Sequence, residues 1–201
     1  MKSNLQQEIL NEIEINNLKT FTISDFLHLG NYEQIKKCMQ RLCQSNKIRR
    51  ISKGLYDIPL YSENLKMYSR PNIEDIAKAM ARNFNWNICP SGNYALNLLG
   101  LSTQVPAKYI FISDGPYKKT KIGKVDIYFK HSNKKDISNY SYKTMLVIQA
   151  IKELGKNNIS KETLQQIKNK LTKEELQILL KEAKSTSIWI YELIKEMNKN
   201  E

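Results

Sequence analysis

The sequence is short of the residues from which catalytic and cross-linked proteins are built. Its three cysteines, Cys38, Cys43 and Cys89, are odd in number and show no CxxC spacing, which argues against a disulfide framework and a zinc site. Only two histidines occur. His28 falls in a short helical stretch and His131 in a lysine-rich one, so both read as structural or solvated rather than catalytic. HExxH, P-loop, GxGxxG and GxSxG patterns are missing. No apolar run approaches the roughly 20 residues that span a bilayer; Met145–Ile148 is among the longest. The leading MKSNLQQEILNE is polar and lacks the apolar core of a signal peptide, so a cytoplasmic protein is expected. No enzymatic activity, catalytic residue, cofactor, metal or membrane association is expected.

Acidic residues are the next scarcity. Asp and Glu number 20 against 32 Lys and Arg, a formal charge of +12, which points to a polyanionic partner. Part of the lysine excess suits a merely solvated surface, but its distribution says more. Lys36 to Lys53 holds seven basic residues and no acidic one. Only five arginines exist in the chain, and Arg41, Arg49 and Arg50 lie in this stretch. Arginine is the side chain suited to bidentate phosphate and guanine contacts.

What is present around that stretch is periodic. Leu5, Ile9, Leu10 and Ile13 recur at helical spacing. Phe21-Thr22 reads as extended, with Thr22 an N-cap and Asp25 in the first turn of a short helix, Ile23 to Leu29, closed by Gly30. Asn31 can cap a further helix reaching about Ser45. Ile35, Cys38, Met39 and Leu42 share one of its faces, and Lys37, Gln40, Arg41 and Gln44 the other. Residues 48–51 and 55–58 flank a turn at Ser52-Lys53-Gly54 and read as a hairpin before Pro59. Helix, strand, helix, helix, hairpin is the plan of a winged helix-turn-helix, in which the polar helix face enters the major groove and the wing lies on the backbone. The expected DNA-binding residues are Asn31, Gln34, Lys36, Lys37, Gln40 and Arg41 on the helix, with Arg49, Arg50 and Lys53 on the wing. Because strand side chains alternate, at most one of Arg49 and Arg50 points to DNA from the strand itself.

Beyond it, residues 62–70 read as a linker and 71–201 as a second domain, with a mixed sheet within 86–130 and helices within 143–198. The expected class is α+β: an N-terminal winged helix-turn-helix over 1–61, then a domain with a small sheet and a helical C-terminal region. Strands are expected over Tyr109–Ser113 and Val125–Phe129 across a lysine-rich loop, with another short piece at Ile122–Lys124, and helices near 143–154, 161–170, 173–184 and 187–198. Lys118, Lys119, Lys121 and Lys124 in that loop, continued by Lys130, Lys134 and Lys135, form a second basic cluster, read as an auxiliary nucleic-acid or partner contact.

The stretch from Leu5 to Pro59, ending in Lys53-Gly54-Leu55-Tyr56-Asp57-Ile58-Pro59, resembles the N-terminal domain of AbiEi-family antitoxins, where a basic residue, Gly, an apolar residue, Tyr and Pro close the wing. Ser91 to Pro106, with Ala95-Leu96, Gly100-Leu101, Gln104 and Pro106, is similar to that family's second-domain signature. The resemblance implies a type IV antitoxin. Such a protein represses its own operon by binding double-stranded DNA at inverted repeats. It counters a nucleotidyltransferase-like toxin functionally, without a tight complex. A nucleotidyltransferase site in this chain itself is not expected: the order here is Ser91-Gly92, and the candidate acids Asp114 and Asp126 stand apart. Two alternatives are a stand-alone winged-helix regulator whose second domain senses a ligand or partner, and a single-strand or RNA binder. The latter would need an exposed aromatic platform, which the first sixty residues lack.

Overall fold

A computed structural model describes residues 4–133, 137 and 139–199; Lys134 and Lys135 of the second basic cluster lie outside them. The fold is mixed α+β, in two compact units, residues 1–86 and 87–201.

The first unit opens with α1 (Leu5–Ile15), capped by Asn4, whose side chain accepts from the Gln6 N–H. Strand β1 (Thr20–Thr22) follows. The expected helix over Ile23–Leu29 is a single 3₁₀ turn, Ile23–Phe26. Asp25 Oδ2 accepts from the Thr22 N–H at 2.7 Å and starts the turn, but Asn31 must be extended to cap the next helix, which leaves no room for a second turn. Gly30 is correspondingly not in the left-handed conformation that closes a helix. Helix α2 (Tyr32–Gln44) then runs into β2 (Arg49–Ser52) and β3 (Leu55–Asp57). Gly54, at φ +75°, makes the turn between them. The three strands form an antiparallel sheet in the order β1-β3-β2.

That sheet has two differently occupied faces. The pairs Phe21–Tyr56 and Tyr56–Arg50 share one side, where Phe21 and Tyr56 join Ile9, Ile13, Phe26, Ile35, Met39 and Leu42 in a core built from α1 and α2. Thr20, Asp57 and Arg49 share the other.

Residues 62–70, expected as a linker, carry structure: β4 (Tyr61–Ser62) pairs with β5 (Met67–Tyr68) in a small hairpin. Helix α3 (Ile73–Phe84), expected in the second domain, belongs to the first unit and packs against β1. The physical reason is specific. Ala77 and Ala81, one turn apart on the helix, are buried and small, so the helix can approach the strand closely. Arg82 Nη2 donates to the Thr20 carbonyl at 2.8 Å and its Nε to Asp25 Oδ1 at 2.9 Å. Ser24 Oγ donates to Asn83 Oδ1 at 2.7 Å. All three residues of β1 are buried as a result.

In the second unit, β6 (Ile88–Ser91), α4 (Asn93–Leu98), β7 (Lys108–Ser113), β8 (Lys118–Ile122) and β9 (Val125–His131) precede α5 (Tyr142–Leu154), α6 (Lys161–Lys168), α7 (Lys173–Glu182) and α8 (Ile188–Met197). The sheet order is β6-β7-β9-β8, with β7 parallel to β9 and the other pairs antiparallel. The lysine-rich segment expected as a loop is therefore an edge strand, and the extra strand expected at Ile122–Lys124 is only its end. Pro90 lies in β6, the opposite edge strand, where a missing N–H costs no ladder bond. Tyr94 of α4 packs edge-on against Tyr109 and Phe111 on one face of the sheet. On the other, α5 covers β6, and Cys89 and Ile112 join its buried side chains. Thr144 to Ile151 is buried without a break, so α5 is the central helix against which residues of α6, α7 and α8 gather.

Candidate nucleic-acid interface

Helix α2 is fixed at its start by a reciprocal cap. Gln34 N–H donates to Asn31 Oδ1 at 3.0 Å, and Asn31 N–H to Gln34 Oε1 at 3.1 Å. Two of the expected DNA-binding side chains, Asn31 and Gln34, thus already have structural work. Ile35, Met39 and Leu42 are fully buried and Cys38 nearly so; burial pushes the Cys38 thiol pKa up, against the lowering influence of Arg41. The apolar stripe seats the helix and leaves Lys37, Gln40, Arg41 and Gln44 exposed on the opposite side. Lys37, Arg41 and Gln34 border a shallow depression that also includes Asn4, Leu5 and Glu8 of α1. Lys36 lies on the flank, 3.3 Å from Glu33 Oε1 and 5.8 Å from the centre of the Tyr32 ring.

The hairpin separates its two arginines. Arg49 faces away from the α1–α2 side: its Nε donates to Asp57 Oδ1 at 3.0 Å, and its Nη2 to Asp57 Oδ2 and to the Ser69 carbonyl at 3.1 Å. The Asp57 side chain is only 6% exposed. The pair is internal, and the hydrogen bond raises the Arg49 pKa further despite partial burial. Arg49, expected to grip phosphate, is instead committed to its partner across the sheet. Arg50, exposed, lies on the α2 side with Tyr56. Burial raises the Tyr56 pKa, and Arg50 and Lys36 oppose the rise. Lys53, at the turn, is exposed.

The register also divides the second basic cluster. Lys119 and Lys121 pair with Tyr128 and Asp126, while Lys118 pairs with Phe129 on the opposite face. Lys124 is exposed in the turn after Gly123. Lys119 Nζ stands 3.5 Å from Asp126 Oδ2 and 5.1 Å from the centre of the Tyr128 ring.

A family model described as a family of unknown function, DUF6088, matches residues 8–179. The chain belongs to this family. No curated protein matches the sequence. The DUF6088 match begins within α1 and ends within α7, so it takes in elements of both units, the α2 face and the hairpin included.

Chemically, the surface of α2 and the hairpin in this DUF6088 member offers donors: ammonium, guanidinium and amide groups on one side of the unit. Among the described residues, no group of three or more His, Cys, Asp and Glu could hold a metal ion, and no helix is long and apolar enough to cross a membrane. His28, on the segment before α2, accompanies Glu12 of α1 at 2.8 Å. His131 Nδ1 lies 2.9 Å from the Gly115 carbonyl. One member of this surface escaped sequence reading. Tyr32, in the first turn of α2 and 53% exposed, has the Lys36 ammonium 5.8 Å from its ring centre. An aromatic directly after an N-cap, outside the apolar stripe, was the available signal.

Proposed function

We propose that this chain is a DNA-binding antitoxin of the AbiE type, whose first unit is a winged helix-turn-helix that reads duplex DNA. The observation that carries the DNA reading is the match between element order and exposed chemistry. The sheet order β1-β3-β2 behind a capped helix is the arrangement a winged helix needs. The side of α2 away from the core presents Lys37, Gln40, Arg41 and Gln44, and Arg50 and Lys53 extend the donors along the hairpin. In this reading α2 enters the major groove. Arg41 and Gln40 read base edges, Lys37 and Lys36 hold phosphates beside them, and Asn31 and Gln34 fix the helix start. The wing contact falls to Arg50 and Lys53; Arg49 does not touch DNA.

Repression of its own operon through inverted repeats, and control of a nucleotidyltransferase-like toxin without a tight complex, rest on the sequence resemblance in both units. The test has two arms. The full chain should shift duplex DNA taken from upstream of its own gene, and Lys37→Ala/Arg41→Ala should weaken that shift by about 1–3 kcal/mol for the base-reading residue. Unchanged affinity would refute the role of α2. Co-expression with the product of the neighbouring reading frame should rescue growth if that frame encodes the toxin; failure there would leave a DNA-binding regulator and remove the antitoxin role.

A further inference from the structure

The sheet of the second unit carries a basic face that the α2 surface does not account for. Residues 87–201 contain 19 lysines, no arginine and 11 acidic residues. Strand alternation and register put Lys108, Lys119, Lys121 and Lys130 on one side together with Tyr128 and Asp126. This is the side that α5 covers over β6. Over β9 and β8 it is open: the four lysines are exposed and Tyr128 is half-buried.

The cations there are held in place. The Lys108 and Lys119 ammoniums stand 5.9 and 5.1 Å from the centre of the Tyr128 ring, within cation–π range. Asp126, 3.5 Å from Lys119, offsets one charge, and the four lysines outnumber it. Because the Lys108 and Lys119 ammoniums are already drawn to the ring, these two lysines lose less freedom on gripping an anion than free surface lysines would. The tyrosine hydrogen bond and the nearby Asp126 raise the Lys119 pKa, so the cation persists at any physiological pH.

The chemistry of the face selects its partner. Lysine is a point charge without the planar fork that reads a base edge, so an all-lysine face recognises phosphate and not sequence. Lys108 and Lys119 lie on strands either side of β9, about 10 Å apart by strand spacing. That span meets more than one phosphate of a duplex, where charges recur every ~1.7 Å along the axis. Single strands would want a bare aromatic platform, and here the ring is attended by ammoniums. We infer that this sheet face is a second, sequence-independent contact for the phosphate backbone of duplex DNA.

The inference shares its partner with the proposed function but stands on separate residues, so the two can fail separately. The full chain and two variants, Lys108→Gln/Lys119→Gln/Lys121→Gln in the sheet and Lys37→Ala/Arg41→Ala in α2, would be titrated by anisotropy against a labelled duplex of arbitrary sequence over a range of salt. Matching circular dichroism melts would establish that the variants are folded. The sheet variant should lower the slope of log Kobs against log salt by about 2–3, at close to 0.9 per lost contact. Replacing the same three lysines by arginine should keep the slope. A wild-type slope in the glutamine variant overturns the inference, even if the α2 variant loses affinity. Loss of slope in the arginine variant also overturns it, because charge would then not be what matters. So does a glutamine variant that loses binding to single-stranded RNA while its duplex binding is unchanged. If only the sheet variant loses slope, the inference stands and the role of α2 falls.

Discussion

Replacing Arg49 by alanine should cost the protein its stability and not its grip on DNA. The Asp57 carboxylate is almost entirely buried, and Arg49 donates to both of its oxygens while also holding the Ser69 carbonyl. Truncation leaves a buried charge without its partner, a change that costs about 3–5 kcal/mol where no water reaches the site. The Arg49 side chain is 32% exposed, so water can enter the vacated space, and about 2–3 kcal/mol is the better figure. For a unit of 86 residues, each kcal/mol moves the midpoint by about 4–8 °C, giving a fall of roughly 10–20 °C. The assay is thermal unfolding followed by circular dichroism, paired with a salt titration of duplex binding well below the transition. Arg50→Ala should do the opposite: little change in midpoint, and a salt slope lower by about one. A double replacement, Arg49→Met with Asp57→Leu, should recover most of the loss, because removing both charges leaves nothing unpaired. If Arg49→Ala melted within a few degrees of wild type yet bound DNA with a reduced slope, the assignment of the two arginines would be reversed and the argument from sheet alternation refuted.

Two further outcomes test how each unit is fastened. Arg82→Ala should destabilise the first unit by about 2 kcal/mol, since it strips the Thr20 carbonyl and Asp25 of donors from α3; an unchanged melt of the full chain would mean that α3 does not secure β1. In the second unit, burial works to raise the Glu182 pKa, but hydrogen bonds from Thr144 and Ser141 outweigh it and hold the carboxyl below the usual range. Ser141 donates to Glu182 Oε2 from its N–H at 2.9 Å and its hydroxyl at 3.0 Å. A lowered pKa contributes stability that is present above the ordinary glutamate range and is lost as the pH falls through the lowered value. Glu182→Gln should therefore cost about 1 kcal/mol at neutral pH, with the gap to wild type closing on acidification; a gap independent of pH would refute the role of the charge.

Much of the first unit could be read from its sequence because local signals there agree with one another. The Asn31 cap, the apolar stripe of α2 and the Gly54 turn each act within a few residues, and each stands where the periodicity puts it. The readings that failed depended on partners distant in sequence. Residues 62–70 are polar enough to pass for a linker, because a two-residue pairing of Tyr61 with Tyr68 leaves almost no periodic trace. Helix α3 has its own clear amphipathic face, but nothing within it says which body that face is buried against; Asp25 and Thr20, more than fifty residues earlier, decide that. Strand β8 was hidden by composition. Its burial alternates, but lysine stands at three of its five positions, and a pattern of lysine against Thr and Ile reads as a loop until β9 is known to lie beside it.

The two adjacent arginines show most closely where sequence reading stops. Alternation along a strand already requires that Arg49 and Arg50 part company, and that much needs no structure. Which of them turns toward α2 depends on the register of β2 with β3, which sets Arg49 opposite Asp57 and Arg50 opposite Tyr56. A bulge falls between Arg50 and Ser52, beyond both arginines, so it leaves their assignment intact. A one-residue slip would exchange the two and send Arg50 against the carboxylate. The slip is opposed by Ile48, which precedes Arg49 on the α2 side and would be turned out of the core it shares with Phe21 and Tyr56. The same apolar packing that closes the core thus selects the arginine turned toward the α2 side, and Asp57 selects the one held across the sheet.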